Sequence, residues 1–437
     1  MPLSLGQMLT KYSILPLLFL LSMIAFVSAP AQSGNGKTGT TAVTPRLDEL
    51  QEKGSEALFN LDYEVARQKF KEMARLYPDD PTGPHMLATT LWLETLNQAR
   101  RLQAAIYSTQ SFYAETEDRP DPRVVQDFRD LTRQATQLAR ARLQRNPRDP
   151  QALYMLGATE SLMASFAATV ERRFIAALRF GSSGVDTHRN VIKLDPNFHD
   201  AELTIGMYDY IVGTLPLPVR MLASIAGPHG SKKRGIQTLE RVAKEGQWTR
   251  ADAEVLLIAI YKKEKRFPEA LALSRELQGK YPRNYLFRLE TADTLVSQAA
   301  IERRASKTKE AETMESEALS TFETMLHERS AAGAAPRALD LIHFRYGEAF
   351  LLMGQPQSAA GEFLAATTVR GADAGTVSRA HLRAAQSFDL AGKRSEALAE
   401  YRVVLSRPNI YDSYDQARRG QKEPYKEQPH SNAKQDE

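Results

Sequence analysis

The chain has 437 residues, enough to bury a large apolar area in two or three compact domains or in one elongated repeat array. Its 57 basic and 53 acidic residues leave a formal charge of +4, and they mostly alternate, which argues against a nucleic-acid footprint. With no cysteine, disulfides, thiolate metal sites, cysteine nucleophiles and a lipid on an N-terminal Cys are excluded.

Residues 1–31 read as a cleaved signal peptide. A lone Lys11 precedes an apolar run from Ile14 to Val27, and small residues follow at Ser28, Ala29 and Ala31. The apolar run is shorter than the roughly 20 residues that span a bilayer, so export followed by cleavage after Ala31 is expected rather than anchoring. The expected location is therefore periplasmic or secreted. Residues 32–45 are rich in Gly, Ser and Thr and read as a flexible linker. Residues 411–437 are charged and Gln-rich and read as a disordered polar tail.

Between them, residues 46–410 carry a helix-pair repeat of about 34 residues, in which small residues let two helices approach, aromatics fill the gap and Pro ends the second helix. The clearest unit has Tyr346-Gly347, Phe350, Gly354, Ala359, Phe363 and Ala366. The next places Phe388, Gly392, Ala397 and Tyr401 38 residues on and closes at Pro408. Gly54, Ala66, Phe70 and Pro78 fit another unit, as do Tyr261, Ala270, Leu277 and Pro282. Units opening at Leu87-Ala88, Leu156-Gly157 and Ile205-Gly206 are expanded, and long helices are expected at 121–146 and 287–304. The expectation is an all-α chain of about eight hairpins, a helical-hairpin solenoid wound as a right-handed superhelix with an expanded central block at 153–282.

These residues resemble the tetratricopeptide repeat superfamily over most of 46–410. In the central block, Leu194-Asp195-Pro196-Asn197-Phe198-His199-Asp200-Ala201, Gly206-Met207-Tyr208-Asp209-Tyr210, Leu215-Pro216, Gly230 and Arg234-Gly235 resemble exported bacterial tetratricopeptide proteins of undefined role. More distantly they are similar to the inclusion-body-clearance family. Neither resemblance brings a catalytic residue.

The apolar stretch from Tyr208 to Ile225, followed by the basic turn Lys232-Lys233-Arg234, is the most individual feature. It reads either as a segment covering the solenoid's own core, the preferred reading, or as an element touching a partner or a membrane surface. Tyr208, Tyr210, Leu215, Leu217, Leu222, Lys232, Lys233 and Arg234 are the candidate partner-binding residues.

No chemistry-bearing pattern competes. The Gly-rich run near Gly230 lacks a phosphate-loop order, and Gly181-Ser182-Ser183-Gly184 lies in a helical context rather than at a strand–helix elbow. His199 with Asp200 and Glu202 is the one local cluster and reads as a helix start, so neither a metal nor a cofactor is expected. Inner positions Leu341, Phe344, Glu348, Arg379, Leu382 and Gln386 do not match a carboxylate clamp. The expected function is a non-enzymatic scaffold for a protein or peptide partner in a bacterial envelope. The alternative is an accessory component of an envelope transport system holding a small apolar ligand near Tyr208, Tyr210 and Met221.

Overall fold

A computed structural model describes residues 46–103, 116–117, 119–214, 230–328 and 338–426. Among them there are 17 α-helices and no strand, and sixteen of the helices form eight consecutive antiparallel hairpins. These are α1 (Leu47–Phe59) with α2 (Tyr63–Leu76), α3 (Thr82–Gln98) with α4 (Pro122–Arg145), and α5 (Pro150–Thr169) with α6 (Phe174–Leu194). They continue with α7 (Glu202–Gly213) and α8 (Lys232–Glu245), α9 (Arg250–Lys263) and α10 (Phe267–Lys280), and α11 (Tyr285–Arg304) and α12 (Thr308–His327). The last are α13 (Leu339–Leu352) with α14 (Pro356–Thr368) and α15 (Ala374–Leu390) with α16 (Arg394–Leu405); the seventeenth helix, α17, spans Ser413–Lys422. The fold is tetratricopeptide-like. The signal peptide and linker read from the sequence lie outside the described residues.

One turn recurs through the array. Leu61, Arg100, Lys265, Ser306, Gly354 and Gly392 each take a positive φ, between 53° and 75°, at the end of the first helix of a pair. In every case the amide of the following residue donates to the carbonyl five positions back, as from Asp62 to Ala57 at 2.8 Å, Arg266 to Tyr261 at 2.7 Å and Lys393 to Phe388 at 2.8 Å. This αL closure satisfies helix-end carbonyls and turns the chain back within a few residues. Some of the other helices start on side-chain caps, at Asp121, Asp149, Ser231 and Asp373. Asp149 accepts from the amides of Gln151 and Ala152, both at 3.0 Å, with Pro150 opening α5.

The chain divides into two compact units, the first comprising 1–113, 120–288 and 333–335, the second 114–119, 289–332 and 336–437. In the first, the leading helices are buried nearly all round. Helix α5 buries Tyr154, Met155, Ala158, Leu162 and Phe166, and its hydroxyl groups bond across to α3, as from Trp92 Nε1 to Thr169 Oγ1 at 2.8 Å. This unit also closes on itself. Phe59 stacks on Tyr281 at 4.7 Å, Asn284 donates to the Phe59 carbonyl at 2.7 Å, and Arg283 donates through Nε to Asp62 at 2.8 Å. The turn of the first hairpin is thereby tied to the loop after the fifth.

The second unit ends in a correction to the sequence reading. The stretch from 411, expected to be a disordered tail, forms α17 and packs onto the last hairpin. Ala417 is fully buried, and a Cβ on Gly420 would lie 2.2 Å from Tyr401 Cζ, so the helix rests its backbone on that ring. Arg394 donates to the carbonyls of Gly420 and Gln421 at 2.7 and 3.0 Å. The polar composition read as disorder is that of a helix that packs through one narrow face, Ser413, Ala417 and Gly420, and leaves the rest of its surface polar. Residues 427–437 lie outside the described residues.

Candidate functional site

The central block, the most individual part of the sequence, is built on α7 and α8. Helices α7 and α8 cross where Gly235 meets the α7 backbone. A Cβ there would lie 2.4 Å from Tyr210 N and 2.6 Å from Gly206 O, so only glycine permits the approach. The backbone of Gly213 also lies against that of Ser231 and Lys232, where glycine again permits the approach. Leu215, Leu217, Leu222 and Met221 lie outside the described residues.

Tyr208 and Tyr210 face different ways, as residues two apart on a helix do. Tyr210 is fully buried among Leu203, Met207, Leu239, Leu256 and Ile260, and its hydroxyl donates to Glu264 at 2.8 Å. Tyr208 is half-buried under the Arg189 guanidinium at 5.1 Å. Tyr210 is thereby part of the core, and Met221, the third residue of the apolar ligand site weighed in the sequence, lies outside the described residues.

The basic turn is spent on the fold itself. Lys232 pairs with Glu264, and Arg234 reaches Asp209 through two nitrogens, one contact at 2.8 Å. Asp209 is buried and helix α7 is thus bolted to α8 by a two-pronged ion pair. Lys233, exposed as the other two are, is the one of the three with no tie of this kind among the described residues. The structure therefore assigns Tyr210, Lys232 and Arg234 to holding the block together.

His199, in the single 3-10 turn before α7, lies 3.2 Å from Glu202 and 3.5 Å from Glu245. Its neighbour Asp200 accepts from the amides of Trp248 and Thr249 and from the Thr249 hydroxyl, at 2.8–2.9 Å, tying one hairpin to the next. Asp340 does the same in the second unit, accepting from the Asp373 amide at 3.0 Å. No group of three or more His, Asp or Glu suited to a metal occurs among the described residues. An open groove of about 540 Å³ between the ends of α2 and α4 is lined by Asp80, Arg142 and Asp149, but these three are already joined, Arg142 reaching Asp80 at 3.1 Å and Asp149 at 2.9 Å.

The site that sequence reasoning missed lies in the second unit, along the first helices of successive hairpins. Arg345 on α13 pairs with Asp293 on α11, and Glu348, one turn on, takes the Arg383 guanidinium of α15 at 2.6 and 2.8 Å. Gln386 continues the strip to Gln416 of α17 at 3.0 Å. Burial alone would raise the Glu348 pKa, yet the Arg383 guanidinium holds it below the usual range.

Arg379 stands apart in this strip. Its guanidinium lies over the Phe344 ring at 4.4 Å and makes no hydrogen bond or ion pair to the described residues. Burial pulls its pKa down from the ordinary value, Arg345 and Arg383 add to this, and Tyr411 and Glu348 oppose it. Arg379 and Glu348 were on the inner face read from the sequence. Arg345 and Arg383 were not, because in a helix pattern they alternate with buried Phe344, Tyr346, Leu382 and Ala384 and look like ordinary surface charge.

No protein-family model and no curated protein matches the chain. Among solved structures it is similar to the human IFIT1 dimer with PPP-AAAA, at 12% identity and a TM-score of 0.46 over 94% of this chain and 85% of that one. It is also similar to a tetratricopeptide repeat protein from Parabacteroides merdae, at 13% identity and a TM-score of 0.30 over 73% of this chain and 91% of that one. Neither likeness places the chain in a family.

Proposed function

We propose that the chain is an exported scaffold that binds a protein or peptide partner in a bacterial cell envelope. A tetratricopeptide-like array offers its partner the first helices of stacked hairpins, and binding is the use to which such stacking lends itself. The observation that carries the reading is the polar strip Asp293, Arg345, Glu348, Arg379, Arg383 and Gln386 along α11, α13 and α15, in which one cation is left without an acceptor. Export rests on the order of charge, apolar run and small residues in 1–31. No described helix is long and apolar enough to cross a membrane.

Photo-crosslinking tests this. Leu352, an exposed leucine on α13, is replaced by p-benzoylphenylalanine in the full chain and irradiated in cells of a host that exports it. Discrete adducts containing a second protein are expected in the envelope fraction. Adducts confined to nucleic acid, or no adduct beyond the chain itself, would overturn the scaffold reading.

A further inference from the structure

Resting on the scaffold reading, we infer that Arg379 and Leu352 form a two-point docking site for an acidic peptide segment: a carboxylate at Arg379 and an apolar side chain at Leu352.

The charge count at the strip comes first. Arg345 has Asp293 and Arg383 has Glu348, each an ion pair between neighbouring first helices. Arg379 completes neither, and its guanidinium lies over the face of the Phe344 ring. Holding a cation half out of water beside two others is unfavourable unless an anion joins it. Removing Arg379 breaks no ion pair, because Glu348 keeps the Arg383 guanidinium. The local surplus is a single positive charge, which one carboxylate cancels. A nucleic-acid backbone would instead need a run of uncompensated cations, and here the flanking two are already occupied.

A second observation is independent of charge. Leu352 is 51% exposed, one of the few large apolar side chains in the described residues to be left so. It follows Arg345 by seven residues and Glu348 by four, and so shares their face of α13. Phe344, beneath Arg379, is eight residues before Leu352, roughly 12 Å along the helix. An extended peptide covers that distance in three or four residues. The occupant is thus a segment with Asp or Glu three or four positions from an apolar residue. Arg supplies a planar fork for the carboxylate, which Lys does not.

The probe is a fluorescein-labelled peptide with one Glu and a Leu four residues on in a Gly/Ser background, titrated against the full chain by fluorescence anisotropy at low and at physiological salt. Saturable binding is expected, weakened at least tenfold by Arg379→Gln, by Leu352→Ser and by Glu→Gln in the peptide. Arg402→Gln, an exposed arginine on α16, is expected to leave it unchanged. The melting temperature of R379Q separates docking from a structural role, because it should stay level or rise, whereas a fall would make Arg379 a strut and overturn the proposal. Equal binding of the Gln peptide, displacement by oligoadenylate RNA that depends on Arg379, or no saturation up to about 1 mM would also overturn it. Binding that appears only after removal of residues 427–437 would assign the site to the chain's own terminus and refute a partner. If Leu352 crosslinks a protein that R379Q and L352S bind as well as the wild type, the scaffold reading stands and the two-point site falls.

Discussion

Two buried groups in the first unit titrate in opposite senses across the same pH range, and separating them is the sharpest test of the fold. Glu254 on α9 is 5% exposed and its Oε2 has no hydrogen-bond partner among the described residues. Burial, reinforced by Glu276 on α10, pushes its pKa up to about 7, while Lys280 and Arg250 pull the other way. A carboxyl that ionises near 4.5 in the unfolded chain and near 7 in the fold binds more protons when folded. Its ionisation therefore removes stability as pH rises between those values, about 3 kcal/mol in all. His188 on α6 does the reverse. Its Nε2 donates to the Tyr154 carbonyl at 3.0 Å, its Nδ1 is buried with no partner, and burial lowers its pKa to about 4. A base depressed from 6.5 to about 4 costs stability as pH falls through that window, again about 3 kcal/mol. In the wild type the slopes of these two groups oppose each other between pH 4 and 7.

Replacing Glu254 by Gln removes one arm. The variant's stability, less that of the wild type, should rise from its offset at pH 4 by about 3 kcal/mol at pH 8, with about two-fifths of the gain present by pH 5.5. Urea denaturation followed by circular dichroism at a series of pH values reads this directly, and thermal midpoints should separate by roughly 2–4 °C per kcal/mol. A difference that stays flat from pH 4.5 to 8 would mean that Glu254 is solvated in the fold, and the buried setting described for α9 and α10 would be wrong. His188→Asn should expose the opposite slope, stability falling with pH as Glu254 ionises. Asp252, also buried and raised by burial, adds to that fall.

Four further outcomes follow from the geometry. Ser306→Gly should stabilise by about 1 kcal/mol, because Ser306 holds φ at 63° where a side chain is strained, and a rise of a few degrees in the melting temperature checks it. Gly235→Ala puts a methyl 2.4 Å from a backbone nitrogen and should destabilise by more than 2 kcal/mol; equal stability in urea would refute the α7–α8 crossing. Asp200→Ala leaves the amides of Trp248 and Thr249 without their acceptor and should lose about 1–3 kcal/mol, with faster hydrogen exchange at those two amides as the local signature. N-terminal sequencing of the exported protein should find Gln32 first; retention of Met1 would refute cleavage after Ala31.

The hairpins were legible where their spacers were conventional. Gly54 facing Phe70, and Gly347 facing Phe363, place a small residue of the first helix against a ring of the second, as the repeat pattern requires. The Gly354 and Gly392 turns could be read because glycine marks a positive φ. Leu61, Arg100, Lys265 and Ser306 adopt the same turn with no such mark, since the flanking helices impose it and tertiary packing outweighs local preference. Helix α17 was hidden for a related reason. Ala417 and Gly420, three apart, were its only packing signal within a polar stretch.

The functional residues were harder to see than the fold, because charge in a sequence does not say where its partner is. Lys232 and Arg234 formed the densest basic run and looked available, yet Glu264 and Asp209, 32 and 25 residues away along the chain, consume them. Arg379 sits in no run and looked ordinary, yet its neighbours' charges are consumed and its own is not. What marks a docking cation is the pairing left over once every intramolecular tie has been drawn, and that remainder exists only in three dimensions. The same logic applies to Leu352, one unremarkable leucine among many in the sequence, which becomes a signal because the described helices bury nearly every other large apolar side chain and leave this one uncovered on the helix that carries Arg345.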